Sequence, residues 1–320
     1  MDRRSFAFGA ASVLGLAAAG CNPQEGGGGT TRTINVAQWG QEKYLIYLPF
    51  YLAQETGAFS RRNIEVNVSF SGNDDQVFAS VLRGDAQFGI GDPIFAAISR
   101  DRGGDGVVVG QVVGRVALWG VSKNINRQLA QPSDFARLRI GTFPRPSTAY
   151  TLTRNMVDQQ RIAGASVAEV PIGSEAALLE SSAADIVMML EPAASSAEAS
   201  GYHIVTSFAR LWGPFAFTGL TSTQSYTSQN AEVVADVQAS MQEALEFAHT
   251  NADETKAIAG RLFPSLDAAV VGRAVDRMLG DETLPRTFAM PDDAWAAAVN
   301  VRKQMSELTG QGDYLEALLR

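Results

Sequence analysis

The chain has 320 residues, 46% of them hydrophobic and 19% charged, with a formal net charge of −8 and a single cysteine. The acidic balance argues against nucleic acid and against a basic membrane-binding surface. One cysteine excludes an internal disulfide, so the fold must be held by its core.

The first 21 residues read as an export signal. Arg3-Arg4-Ser5-Phe6 has the form of a twin-arginine motif, and an apolar run rich in Ala and Gly follows to Gly20. That run is shorter than the roughly 20 residues a spanning helix needs. Small residues then lead to Cys21, the pattern of a lipoprotein signal in which the cysteine becomes a lipidated N-terminus. Ala18 stands where such signals usually carry a large aliphatic. The alternative is an ordinary secretory signal cut within residues 17–20. Residues 22–31, with Gly26 to Gly29, read as a flexible leash. The expected location is the periplasm or the outer face of a bacterial membrane, with Cys21 as anchor.

Strands and helices alternate along the rest. Strands are expected at 33–38, 64–70 and 87–90, with helices from Pro49 to Glu55, over 74–83 and from Pro93. Gly57 and Gly84 end the first two helices. Residues 107–122 form a long β-rich stretch broken by Gly110, Gly114 and Gly120. A second series follows: strands at 138–142, 167–172, 185–190 and 202–208, and helices at 148–160, 175–181 and 193–199. Residues 215–222 form a strand that returns to the first unit. Helices then cover 232–250, 266–279 and 292–308, with a tail at 314–319 and a capping box from Asn251 to Glu254 before a further helix.

Such alternation implies mostly parallel sheets with helices on both faces. The pattern divides into lobe I, residues 32–119 plus 216–320, and lobe II, residues 120–215. Two crossings between lobes imply a cleft and a hinge. Ligands of such sheets sit outside the carboxyl ends of strands.

Five segments carry a resemblance: PFYLAQETGAF from Pro49, IEVNV from Ile64, VLRGDAQFGIGDP from Val81, QPSDFARLRIGTF from Gln131 and MLEPAAS from Met189. In this order and spacing they resemble bacterial ABC-transporter substrate-binding proteins of the nitrate/taurine/alkanesulfonate/thiamine-pyrimidine class. The resemblance spans residues 33–222. It implies a two-lobed type II periplasmic-binding-protein fold, a monomer, a ligand trapped at the hinge, and delivery to a permease driven by a separate ATPase. Fungal thiamine-pyrimidine synthase, an enzyme of similar fold, uses a histidine and a cysteine-rich iron motif. Here only His203, His249 and Cys21 are available, so no catalysis and no cofactor is expected.

The candidate ligand contacts lie at strand ends. Asp92 is either an acceptor for a ligand N–H or the cap of the next helix. Asp74 and Gln76 open a helix and either face the cleft or serve its N-terminus. Ser147 and Thr148 begin the second lobe's first helix, where free N–H groups favour anions. Arg145, between two prolines, either adds a charge there or is solvated. Glu191 either walls the cleft or makes a hinge contact. Arg115 lies in an apolar stretch and is either paired or aimed into the cleft. Trp39 and Tyr44 head the aromatics, with Trp119, Trp212 and Phe217, that either stack on a flat ligand or fill the core.

Acidic and aromatic candidates outnumber basic ones, which favours a nitrogen heterocycle such as a thiamine-pyrimidine precursor. The alternatives are a small anion (alkanesulfonate, taurine or nitrate), a receptor subunit, or a secreted α/β enzyme. The last lacks a Gly-x-Ser-x-Gly elbow and a zinc signature.

Overall fold

Two five-stranded sheets divide the strands between them in a computed structural model that describes residues 30–309 and 313–320. The export signal, Cys21 and all but the last two residues of the leash lie outside the described residues. In lobe I, β1 (Arg32–Gln38), α1 (Leu48–Glu55), β2 (Ile64–Phe70), α2 (Asp74–Arg83), β3 (Phe88–Gly91), α3 (Ile94–Asp101) and β4 (Gly106–Arg115) follow in order. Lobe II holds β5 (Trp119–Ser122), β6 (Arg139–Thr142), α4 (Thr148–Gln159), β7 (Ser166–Glu169), α5 (Glu175–Glu180), β8 (Ile186–Met189), α6 (Ala193–Ala199), β9 (His203–Ser207) and α7 (Phe208–Trp212). The chain then returns through β10 (Pro214–Thr223) and ends in α8 (Gln224–Gln229), α9 (Ala231–Thr250), α10 (Ala252–Leu262), α11 (Ala268–Gly280) and α12 (Asp292–Gln304).

The first sheet runs β2-β1-β3-β10-β4, the second β7-β6-β8-β5-β9. In each, one strand runs against the rest. β10 is antiparallel to both β3 and β4, and β5 to both β8 and β9. These two reversed strands follow the crossings. The β-rich stretch 107–122 therefore serves both sheets. β4 ends at Arg115, Val116 to Leu118 cross over fully buried, and β5 begins at Trp119. Glycine makes room where chains meet. At Gly110 a Cβ would lie 2.5 Å from the Phe288 carbonyl oxygen, the same oxygen that accepts from Gln111 N–H at 2.7 Å.

The last helices touch both lobes. α9 packs on α1 of lobe I, α11 on α6 of lobe II, and α12 on β10 and on α4. Residues 31–320 thus form one compact body. Among the described residues no helix is long and apolar enough to cross a membrane.

Several expected elements differ. The strand at 167–172 shortens to β7 because Pro171 brings no N–H to the ladder. Helix 292–308 stops at Gln304, as Ser306 turns left-handed (φ 59°) and sends Glu307 N–H back to Arg302 O. Asn251 makes no capping bond. It is already the last residue of the turn closing α9, and its side chain donates back to Phe247 O. α7 and α8 carry no strong sequence signal and are short.

Candidate functional site

A cleft opens at the carboxyl end of β3, where two carboxylates meet. Asp92 follows β3 directly, and its Oδ1 accepts from Ile94 N–H at 2.9 Å, starting α3. Its Oδ2 faces lobe II, where the Thr148 hydroxyl and the Arg302 guanidinium both donate to it. Arg302, buried on α12, also donates to Thr151 Oγ1 at 2.9 Å and to Glu307. Burial works against the Arg302 charge, but Asp92 and Glu307 hold its pKa above the usual value. Both readings of Asp92 are therefore filled by the protein itself: it caps α3 and pairs across the cleft.

Asp74 is the other carboxylate. It opens α2, whose N-cap Asn73 accepts from Gln76 N–H. Its Oδ1 reaches across Gly91 to accept from Asp92 N–H at 2.7 Å. A Cβ on Gly91 would stand 2.7 Å from that oxygen, so glycine is what lets the two strand-end acids approach. Burial, then the Asp92 charge, pushes the Asp74 pKa up to about 7, against the pull of the Asp92 N–H and Arg302. Tyr47, buried beside it, is held far above the usual phenol range by burial and by the Asp74 charge.

These groups line a throat of about 40 Å³ between the lobes. Its walls are mostly apolar: Trp39, Ile46, Leu118, Phe143, Leu190 and Phe217. Ser147, Thr148 and Thr218 add polar atoms, and no Lys or Arg lines it. Trp39 is fixed from two sides. Its backbone N–H donates to Ile90 O at 2.9 Å, and Tyr44 meets its ring edge-on at 4.9 Å between ring centres. Tyr44 folds back over Gly40, where a Cβ would lie 2.5 Å from its ring.

A larger chamber of about 540 Å³ adjoins the throat and shares Phe143 and Leu190 with it. Tyr44 from lobe I and Glu175 and Glu191 from lobe II line it. Glu191 is fully buried, accepts from Ser195 N–H and Oγ at 3.0 and 2.9 Å, and pairs with Arg277 Nε of α11 at 2.8 Å. Burial raises its pKa against these bonds.

The remaining candidates lie elsewhere. Gln76 is exposed on α2. Arg115 ends β4 and pairs with Glu282. Arg145 is exposed, pairs with Glu169 at 2.7 Å and lies over the Tyr150 ring. Trp119 is buried and donates to Asp281. His203 is exposed, and His249 Nε2 lies 3.0 Å from Leu284 O. Among the described residues no group of three or more His, Cys, Asp or Glu is placed to hold a metal.

Residues 46–255 match the NMT1/THI5-like family. The chain belongs to that family. No curated protein matches the sequence, but solved structures do. SsuA, the periplasmic aliphatic sulphonate binding protein of Escherichia coli, is 14% identical, covers 90% of this chain and 92% of its own, and superposes with a TM-score of 0.71. A protein of Bordetella bronchiseptica RB50 is 17% identical over 90% of this chain and 94% of its own, TM-score 0.70. The periplasmic nitrate-binding protein NrtA of Synechocystis PCC 6803 is 11% identical over 89% and 84%, TM-score 0.65. At these identities the likeness is one of fold. The resemblance and the two-lobed type II fold expected from sequence are both borne out.

Within this NMT1/THI5-like chain, sequence reasoning missed Arg302, Tyr47, Phe143, Leu190 and Thr218. Arg302 lies 210 positions from Asp92, so no local pattern could join them. A faint signal existed: it is an arginine between Val301 and the amphipathic end of a helix, with Glu307 five residues on. Tyr47 and Phe143 are both buried in the core and line the throat.

Proposed function

We propose that the chain is an extracytoplasmic solute-binding lipoprotein. It captures a small basic nitrogen compound, such as an aminopyrimidine, in the interlobe cleft and hands it to an ABC permease energised by a separate ATPase. In this reading it works as a monomer. Cys21 carries lipid after export by the twin-arginine route and keeps the binder near its permease. It binds and releases, and catalyses nothing.

One observation carries the choice of ligand. The throat holds a carboxylate, Asp74, with one oxygen taken by Asp92 N–H, beside Trp39 and without any Lys or Arg in its lining. A ring N–H or an ammonium answers its other oxygen, and the aromatic wall answers the ring. A specific feature favours a second reading. The first turn of α4 faces the throat, and the Ser147 side chain caps only Tyr150 N–H, 3.2 Å away. The amides of Thr148 and Ala149 remain for a small anion.

Thermal unfolding of the purified protein separates the two. A ligand at 100 times its dissociation constant stabilises by about 2.7 kcal/mol. The expected result is a rise in Tm with 4-aminopyrimidines that Asp74→Asn abolishes. A rise with taurine or nitrate, and none with the pyrimidines, replaces this reading by the anion one. Turnover of a bound compound would overturn the binding-protein reading itself.

A further inference from the structure

Four carboxylates are buried in the described residues: Asp92, Glu175, Glu191 and Asp281. Three are engaged. Thr148 and Arg302 hold Asp92, Ser195 and Arg277 hold Glu191, and Trp119, Ser207 and Arg210 hold Asp281. Glu175 is the exception. It is 9% exposed, and among the described residues its side chain has neither a hydrogen bond nor an ion pair. A buried acid without a partner is costly and rare. Its position at the start of α5 gives it a favourable helix field, but no N–H donates to it.

Glu175 lines the larger chamber, across from Tyr44. Its charge helps, after burial and Glu42, to raise the Tyr44 phenol. Lys43 sits at the same chamber's edge, yet it is exposed and its ammonium lies over the Tyr51 ring at 5.5 Å. The chamber adjoins the throat, and Phe143 and Leu190 line both. The throat, about 40 Å³, has room for one small group, whereas about 540 Å³ holds the body of a molecule. One cleft therefore presents two acids awaiting a partner, Asp74 inside and Glu175 outside, with apolar walls between.

We propose that the ligand carries two basic nitrogen groups on an apolar or aromatic body, one held by Asp74 in the throat and the other by Glu175 in the larger chamber. This rests on the reading of the cleft as a site for nitrogen bases, and it adds the second pole. A compound with one basic group would leave Glu175 buried and unpaired. A compound as small as nitrate would leave the chamber unfilled.

Titration calorimetry on the full-length protein tests it with matched probes: 4-methylbenzylamine against 1,4-bis(aminomethyl)benzene, and 4-(aminomethyl)biphenyl against 4,4′-bis(aminomethyl)biphenyl. At one of the two lengths the diamine is expected to bind at least about ten-fold tighter than its monoamine. Glu175→Gln is expected to bring the two within about two-fold of each other, while Asp74→Asn weakens both. Equal binding of monoamine and diamine at both lengths overturns the second pole, as does an equal loss of both in Glu175→Gln. In either case Asp74-dependent binding of the monoamine leaves the first reading standing. If no amine binds and taurine does, that first reading falls and this inference with it. The ligand-free Glu175→Gln protein should melt within a few degrees of wild type, because relief of the unpartnered carboxylate offsets the loss of its helix field. A drop well beyond a few degrees would show that Glu175 has a structural partner, and would overturn the proposal.

Discussion

Two regions of this molecule treat buried charge in opposite ways. Along the latches formed by α11 and α12, every buried acid meets a cation or a full set of donors. Arg302 ties Asp92 of lobe I to Thr148 and Thr151 of lobe II, and Arg277 ties α11 to Glu191 and Glu198. Inside the cleft between them, Asp74 in the throat and Glu175 in the larger chamber make no ion pair among the described residues. The contrast separates charges that hold the fold from charges kept for something else. A paired buried charge adds little net stability, but losing its partner is expensive. An unpaired one lowers stability in the empty protein and lowers it less when a partner arrives.

The largest expected effect breaks the paired side. Arg302→Ala leaves Asp92 and Glu307 without their guanidinium, and Asp92 cannot reach water easily at 6% exposure. A loss of about 3–5 kcal/mol is expected, measured by urea unfolding. Arg302→Met should lose less when combined with Asp92→Asn, because that pair of changes removes both charges together. A loss below about 1 kcal/mol in the single variant would show that the latch is not closed in solution.

The second effect tests the unpaired side through pH. The folded-state pKa of Asp74 is raised from 3.8 to about 7. The folded protein therefore holds a proton that the unfolded chain has released. The stability this contributes is complete below about pH 4 and is lost as pH rises through about 7. Wild type and Asp74→Asn should be similar near pH 4, and the variant should be more stable by about 3–4 kcal/mol near pH 8. The comparison between the two proteins cancels the pH dependence of other groups. Affinity for a basic ligand should run the other way, increasing over the same range as Asp74 gains its charge. A stability difference that does not change with pH would mean that Asp74 is ionised throughout.

How much of this was legible in the sequence follows from the range of each interaction. Strand β1, helix α2 with its Gly84 stop, and the Glu191-Pro192 break are local, and alternation or capping residues announce them. Asp92 and Asp74 stand out because each lies between a strand and a helix start, Asp92 after the fully buried β3. Their different fates were not visible, since these depend on Arg302 and on the missing Cβ of Gly91. The division of residues 107–122 between two lobes is legible to within a residue, since the boundary expected after residue 119 lies one residue inside β5. The partners β10, β8 and β9 show where the run changes sheets. Glu175 reads as an ordinary helix start in sequence, and nothing local marks it as lining a chamber with Tyr44 of the other lobe.

Arg145 supplies the smallest expected effect and the control for the comparison. It too is an arginine beside the second lobe's first helix, and it too has a carboxylate, Glu169, at 2.7 Å. Its side chain is 68% exposed, however, whereas that of Arg302 is 5% exposed. Water solvates both members of the surface pair before and after the bond forms, so the bond replaces little. Arg145→Ala should change stability by less than about 1 kcal/mol, and less still in high salt, where the Debye length falls to about 3 Å. It should leave binding of a basic ligand unchanged, because Arg145 lines neither the throat nor the larger chamber. A sharp loss of binding of taurine or nitrate in Arg145→Ala would instead tie this arginine to the first turn of α4, and would move the anion reading ahead of the basic one.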